Sequence, residues 1–93
     1  MYRIFPTKDF GRSLHRLRRS GRFNESLLED ALELLSMGVP MPAKYKDHAL
    51  DGDLQNLRLC HLRGDLILQY KRNEETGMII LDDIGSHHEL LGR

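Results

Sequence analysis

The sequence has one cysteine, Cys60, in 93 residues. A single thiol excludes an internal disulfide and a cysteine-based zinc cage. No apolar run approaches the ~18 residues that a membrane-crossing helix needs, and the opening MYRIFPTKDF has no apolar leader stretch. A cytoplasmic protein is expected from that. There is no internal repeat, linker or low-complexity tract, and no net charge. At this length the chain can build about one hydrophobic core and not two, so one domain spanning residues 1–93 is expected. A composition 40% apolar and 30% charged argues against disorder.

The zero net charge conceals a split. Residues 1–46 hold nine Lys/Arg against five Asp/Glu, and residues 47–93 hold five against nine. The first 22 residues carry seven basic groups and one acid, Asp9. This asymmetry points to a basic surface for an anionic partner, although charge on helix faces can also be simply solvated.

Hydrophobic spacing divides the chain at about the same place. Tyr2 to Phe5, ended by Pro6, reads as a short strand. Thr7 can cap a helix running to about Ser20, with Phe10, Leu14 and Leu17 at i, i+4, i+7 on one face. Arg12, Arg16 and Arg19 repeat the same spacing on a different stripe, which leaves them exposed. Asn24 can cap a second helix whose stripe is Leu27, Leu28, Ala31, Leu34 and Leu35, with Phe23 placed to pack on Leu28. Gly38, Pro40 and Pro42 end it. Beyond that point Leu57–Arg63, Leu66–Lys71 and Met78–Ile84 are strand-like. They are separated by Gly64-Asp65 and by the polar loop Asn73 to Gly77. A short first strand, two helices and an antiparallel meander predict an α+β fold.

Four of the five histidines, His48, His61, His87 and His88, follow residue 47. Antiparallel strands could bring His48, His61, Asp65 and His87 to one side of a sheet. Imidazoles titrate near neutrality, so such a cluster could run acid–base chemistry on a phosphodiester. One group would take the 2′-hydroxyl proton and another would protonate the departing 5′-oxygen, with cations offsetting the phosphate charge. A histidine metal site is less well supported. No HxxxH pair falls on a predicted helix, and adjacent His87 and His88 give poor joint geometry. No metal and no cofactor are expected.

Three segments carry a more specific signal. Lys44-Tyr45-Lys46-Asp47-His48-Ala49-Leu50-Asp51-Gly52-Asp53 resembles the motif before the sheet in YafQ-type toxins of the RelE superfamily. Leu57 to Lys71 is similar to that family's next segment: arginine, two residues, histidine, three residues, aspartate, then an apolar strand ending in Tyr-Lys. Gly85-Ser86-His87-His88-Glu89-Leu90-Leu91-Gly92 resembles its closing motif. Together they cover about half the chain in the right order.

The resemblance implies a microbial-RNase-like α+β fold and a type II toxin that cuts messenger RNA on the ribosome until a cognate antitoxin silences it. It implies acid–base roles for His48, His61, Asp65 and His87, and no metal. Lys44, Lys46 and Arg58 lie in or beside the expected site, and with Arg12, Arg16 and Arg19 they are the expected RNA contacts. Promoter DNA would be reached only through the antitoxin complex. The chain departs from the family pattern at Asp83, where an arginine is common, and at Leu91, where phenylalanine is common. Those departures suggest an alternative, an antitoxin-binding module with little nuclease activity. A DNA-reading role ranks last, because the basic helices show no recognition-helix pattern.

Overall fold

The computed structural model describes residues 1–50 and 56–92; residues 51–55, which include the end of the first motif, lie outside them. Strand β1 (Arg3–Pro6) leads into helices α1 (Lys8–Arg19) and α2 (Glu25–Met37). A short 3-10 turn (Ala43–Tyr45) and β2 (His48–Ala49) come next. Strands β3 (Leu57–Arg63), β4 (Leu66–Asn73) and β5 (Met78–Ser86) form the meander, and a small helix α3 (His87–Leu91) follows.

The helix ends lie where the capping residues predict them. The Thr7 side chain accepts from the Phe10 N–H at 3.1 Å, and Asn24 Oδ1 accepts from the Ser26 N–H at 3.0 Å. Gly38 closes α2 in the left-handed region, φ 73°, where only glycine is unstrained. Thr7 does more than cap. Its hydroxyl also reaches the Leu81 and Asp82 carbonyls at 2.9 and 3.0 Å, which fastens the start of α1 to β5.

The sheet runs β1-β5-β4-β3-β2. The meander is antiparallel, as expected, but β1 joins it parallel to β5, with Ile4 beside Ile79. The sheet is therefore mixed. Two strands carry an extra residue: Leu62 in β3, beyond the His61–Ile67 pair, and Asp82 in β5, between the partners of Gln69 and Tyr70.

The core lies between helices and sheet. Phe10, Leu14, Leu28, Ala31 and Leu35 meet Cys60, Leu68, Tyr70, Ile79, Leu81 and Ile84. Fully burying an aliphatic side chain such as Leu35 or Ile79 is worth about 1.5–3 kcal/mol. Leu27 and Leu34, expected in the buried stripe, are only half-buried. Side chains alternate along a strand, so Leu57, Leu59, His61 and Ile67 look to the other face. Helix α3 turns over that face. A Cβ on Gly85 would lie 2.9 Å from Glu89 Oε1 and 3.5 Å from Leu90 Cδ2.

Candidate active site

His48 pairs with Leu59 across β2 and β3, so its ring points to the same face as His61, two residues further on. The rings stack with centroids 6.4 Å apart and planes 29° from parallel. His48 Nδ1 lies 2.8 Å from the Lys46 carbonyl oxygen. A carbonyl only accepts, so Nδ1 carries the proton and donates. In the neutral ring the lone pair is then on the outward Nε2, the arrangement a general base needs.

Asp65 sits in the turn between β3 and β4, after Gly64 (φ 55°). Its carbonyl accepts from the His87 N–H at 3.0 Å, so the β3–β4 turn and the start of α3 are joined. His61 and Gly85 flank Ile67 on its two sides, which puts their Cα atoms about 10 Å apart, two strand spacings. The two stacked histidines and the Asp65–His87 junction thus share one end of the sheet. His48, Asp65 and His87 are exposed and His61 is half-buried.

His87 begins a helix rather than ending in a loop. Ser86 Oγ accepts from the Glu89 N–H at 3.1 Å, and Glu89 Oε1 accepts from the Ser86 N–H at 2.8 Å. That reciprocal pair is a capping box. The Ser86 backbone bond, with Arg16 and His88 nearby, holds the Glu89 carboxyl below the usual carboxylate range.

The other expected cations have different surroundings. Arg12 pairs with Asp9, Arg16 donates to Ser13 Oγ at 3.3 Å, and Arg19 is exposed in the last turn of α1. Lys44 lies over the Tyr45 ring, 5.3 Å from its centroid, and Lys46 is exposed.

Arg58 alternates with Leu57 and Leu59, so it looks to the helix-covered face, away from His61. It donates to Asp47 Oδ2 at 2.7 Å and lies 3.4 Å from the Tyr70 hydroxyl. Tyr70 in turn donates to Asp47 Oδ1. Burial, reinforced by Asp47, pushes the Tyr70 phenol well above its ordinary range, and Asp47 raises Arg58. Sequence reasoning passed over Asp47 and Tyr70 as functional residues. Asp47 stands beside His48 in the first motif, and Tyr70 closes the apolar strand of the second, where its hydrophobic neighbours read as core.

Asp83 is also occupied. Its Oδ1 accepts from Ser13 Oγ at 2.6 Å and from the Ile84 N–H at 2.8 Å. Cys60 is buried, and burial pushes its thiol up to about 12. Among the described residues no three His, Cys, Asp or Glu side chains converge as a metal cage would require. No helix among them is long and apolar enough to cross a membrane.

A mixed sheet carrying two helices on one face, with three histidines and an aspartate at one end, defines a small α+β protein. The sequence profile for YafQ, bacterial toxins of type II toxin–antitoxin systems, matches residues 2–92, and the chain belongs to that family. The mRNA interferase toxin YafQ of Escherichia coli K12 is 36% identical over 59 residues, 63% of this chain and 62% of that protein. The relatives it matches by sequence are covered over 40–62% of their length. A metal-bound toxin from Helicobacter pylori superposes with a TM-score of 0.89 at 38% identity, covering 97% of this chain and 99% of that one. The toxin of the E. coli DinJ–YafQ complex superposes with a TM-score of 0.85 at 26% identity, covering 99% and 100%.

Proposed function

We propose that this chain is a toxin that cuts messenger RNA on the ribosome, in the cytoplasm, by metal-independent acid–base chemistry, and that a cognate antitoxin silences it. The observation that carries the reading is the stacked His48–His61 pair at the sheet end that Asp65 and His87 share. His48 Nε2, or Asp65, takes the 2′-hydroxyl proton. The oxygen then attacks the neighbouring phosphate, and His87 protonates the departing 5′-oxygen. His61 orients the phosphate or shares the proton work. Neighbouring titrating groups act as a set, so the base is assigned to His48 and Asp65 jointly rather than to one of them. The products are a 2′,3′-cyclic phosphate and a 5′-hydroxyl.

Lys44 and Lys46 lie just before His48 in sequence and suit the message backbone. Arg12, Arg16 and Arg19 suit ribosomal RNA. Arg58 is tied to Asp47 and contributes mainly through that pair. The antitoxin is expected to present an acidic segment to Arg12, Arg16, Arg19 and Arg22, folding as it binds. The DinJ–YafQ toxin–antitoxin complex of E. coli supports a cognate antitoxin partner.

His87→Ala tests the reading. Loss of one acid–base partner should slow cleavage in a ribosome assay by about 10²–10⁴-fold while the fold survives. Near-normal cleavage would remove His87 from the mechanism. The alternative, an antitoxin-binding module that scarcely cuts, draws on Asp83 and Leu91. It predicts that induced expression without antitoxin leaves growth and messages intact, whereas a toxin would arrest the cells.

A further inference from the structure

We propose that Asp47, Arg58 and Tyr70 form a positioning unit that holds His48 against His61; this rests on the catalytic reading of His48 given above. Neighbouring residues in extended chain point to opposite faces. Asp47 points to the core side, where its two carboxylate oxygens take the Tyr70 hydroxyl and the Arg58 guanidinium. His48 therefore points to the open side and meets His61.

Strand β2 does little to fix this by itself. It is two residues long and pairs through His48–Leu59 and Ala49–Arg58, with one more backbone bond beyond them, the Leu50 N–H donating to the Leu57 carbonyl at 2.9 Å. A one-residue slip would turn His48 to the wrong face. Lys46, just before it, is held in the left-handed region at φ 47°, a conformation that a side-chain-bearing residue rarely adopts and that persists only where its surroundings fix it. Its carbonyl in turn receives the His48 Nδ1 proton. The Asp47 anchor, one residue away, supplies the constraint that the short ladder lacks.

Stability alone is a poor reason for this trio. The Tyr70 ring is fully buried, and the Asp47 and Arg58 side chains are only 16% and 32% exposed. Well-packed apolar groups can fill such a place as well as a partly buried ion pair, or better. A directional polar contact can fix register, as a buried polar residue does in some coiled coils. All three residues act through His48, so none needs to touch the message.

The test uses Tyr70→Phe in the full chain, with Arg58→Lys as a conservative second variant. Tyr70→Phe keeps the buried ring and removes one donor to Asp47. Histidine NMR should then show loss of the His48–His61 ring contacts and of the fixed His48 Nδ1–H tautomer, with the rest of the spectrum folded. Cleavage kcat should fall roughly 10- to 100-fold, with KM changed by less than about twofold. In a His48→Ala background Tyr70→Phe should cost nothing further. Arg58→Lys should keep part of both signals.

Intact ring contacts in folded Tyr70→Phe would overturn the proposal. So would an equal loss of cleavage in the His48→Ala background, which would mean that the trio acts on the fold in general. If the wild-type chain does not cut RNA, the catalytic reading fails, and the NMR signals alone decide whether the trio positions His48.

Discussion

Ser86→Ala probes how helix α3 is held. The helix has five residues, none fully buried, and isolated helices below about 12 residues barely persist in water. Its order rests on the capping box and on Leu90 packing over Gly85. Removing Ser86 Oγ orphans the Glu89 N–H, and loss of an N-cap costs about 1 kcal/mol. That corresponds to an increase of about fivefold in the frayed population of α3. Hydrogen exchange reads it at the Gly92 N–H, which donates to the His88 carbonyl at 2.9 Å and closes the helix. Exchange there should speed up about fivefold. The melting temperature should move far less than the roughly 4–8 °C that 1 kcal/mol would produce in global unfolding of a domain this size. Acid should act on the same box from the other side. The Glu89 carboxyl is held below its usual range, so its contribution is complete above the ordinary carboxylate pKa and is lost as pH falls through the depressed value. Unchanged Gly92 exchange in Ser86→Ala would show that α3 is held by something other than its cap.

Three further expectations follow from other sites. Cys60, buried and pushed up to about 12, should resist thiol reagents at pH 8 in the native protein and react fully once unfolded; rapid native labelling would contradict its burial. Asp83→Ala should destabilise the fold by about 1–3 kcal/mol in urea titrations, and Ser13→Ala should add little to it, because the two share one bond; additive costs would count against the pair. Replacing Arg12, Arg16 and Arg19 with Gln should weaken ribosome association and flatten its salt dependence; an unchanged salt slope would remove α1 from docking.

Local chemistry made much of the fold legible in the sequence. Thr7, Asn24 and Gly38 mark helix ends because caps and left-handed turns demand particular side chains close by. β3 spans Leu57–Arg63, the run read from its alternation and the Gly64 turn. β4 and β5 extend two residues past their expected ends, since the polar residues there pair in the ladder all the same. Helix α3 escaped notice because five residues hold barely one period, although Ser86-His87-His88-Glu89 spells a capping box. The parallel pairing of β1 depends on residues far along the chain and leaves no local mark. The motifs single out His48, His61, Asp65, His87 and Arg58 by spacing, whereas the Asp47–Arg58–Tyr70 contact joins residues of three segments and leaves no local mark.

The pairing of the first strand with the last sets a schedule for folding. Thr7 reaches Leu81 across 74 residues, and such distant contacts bear the full entropy of loop closure before they return any stability. During synthesis the two helices can form early, yet β1 has no strand partner, and Thr7 cannot reach the Leu81 and Asp82 carbonyls, until β5 has left the exit tunnel. Asp65 likewise lacks His87 until then. A ribosome translating this message therefore carries a half-built chain that cannot yet assemble the sheet end, and the groups proposed to attack RNA come together only once the segment through His87 has emerged.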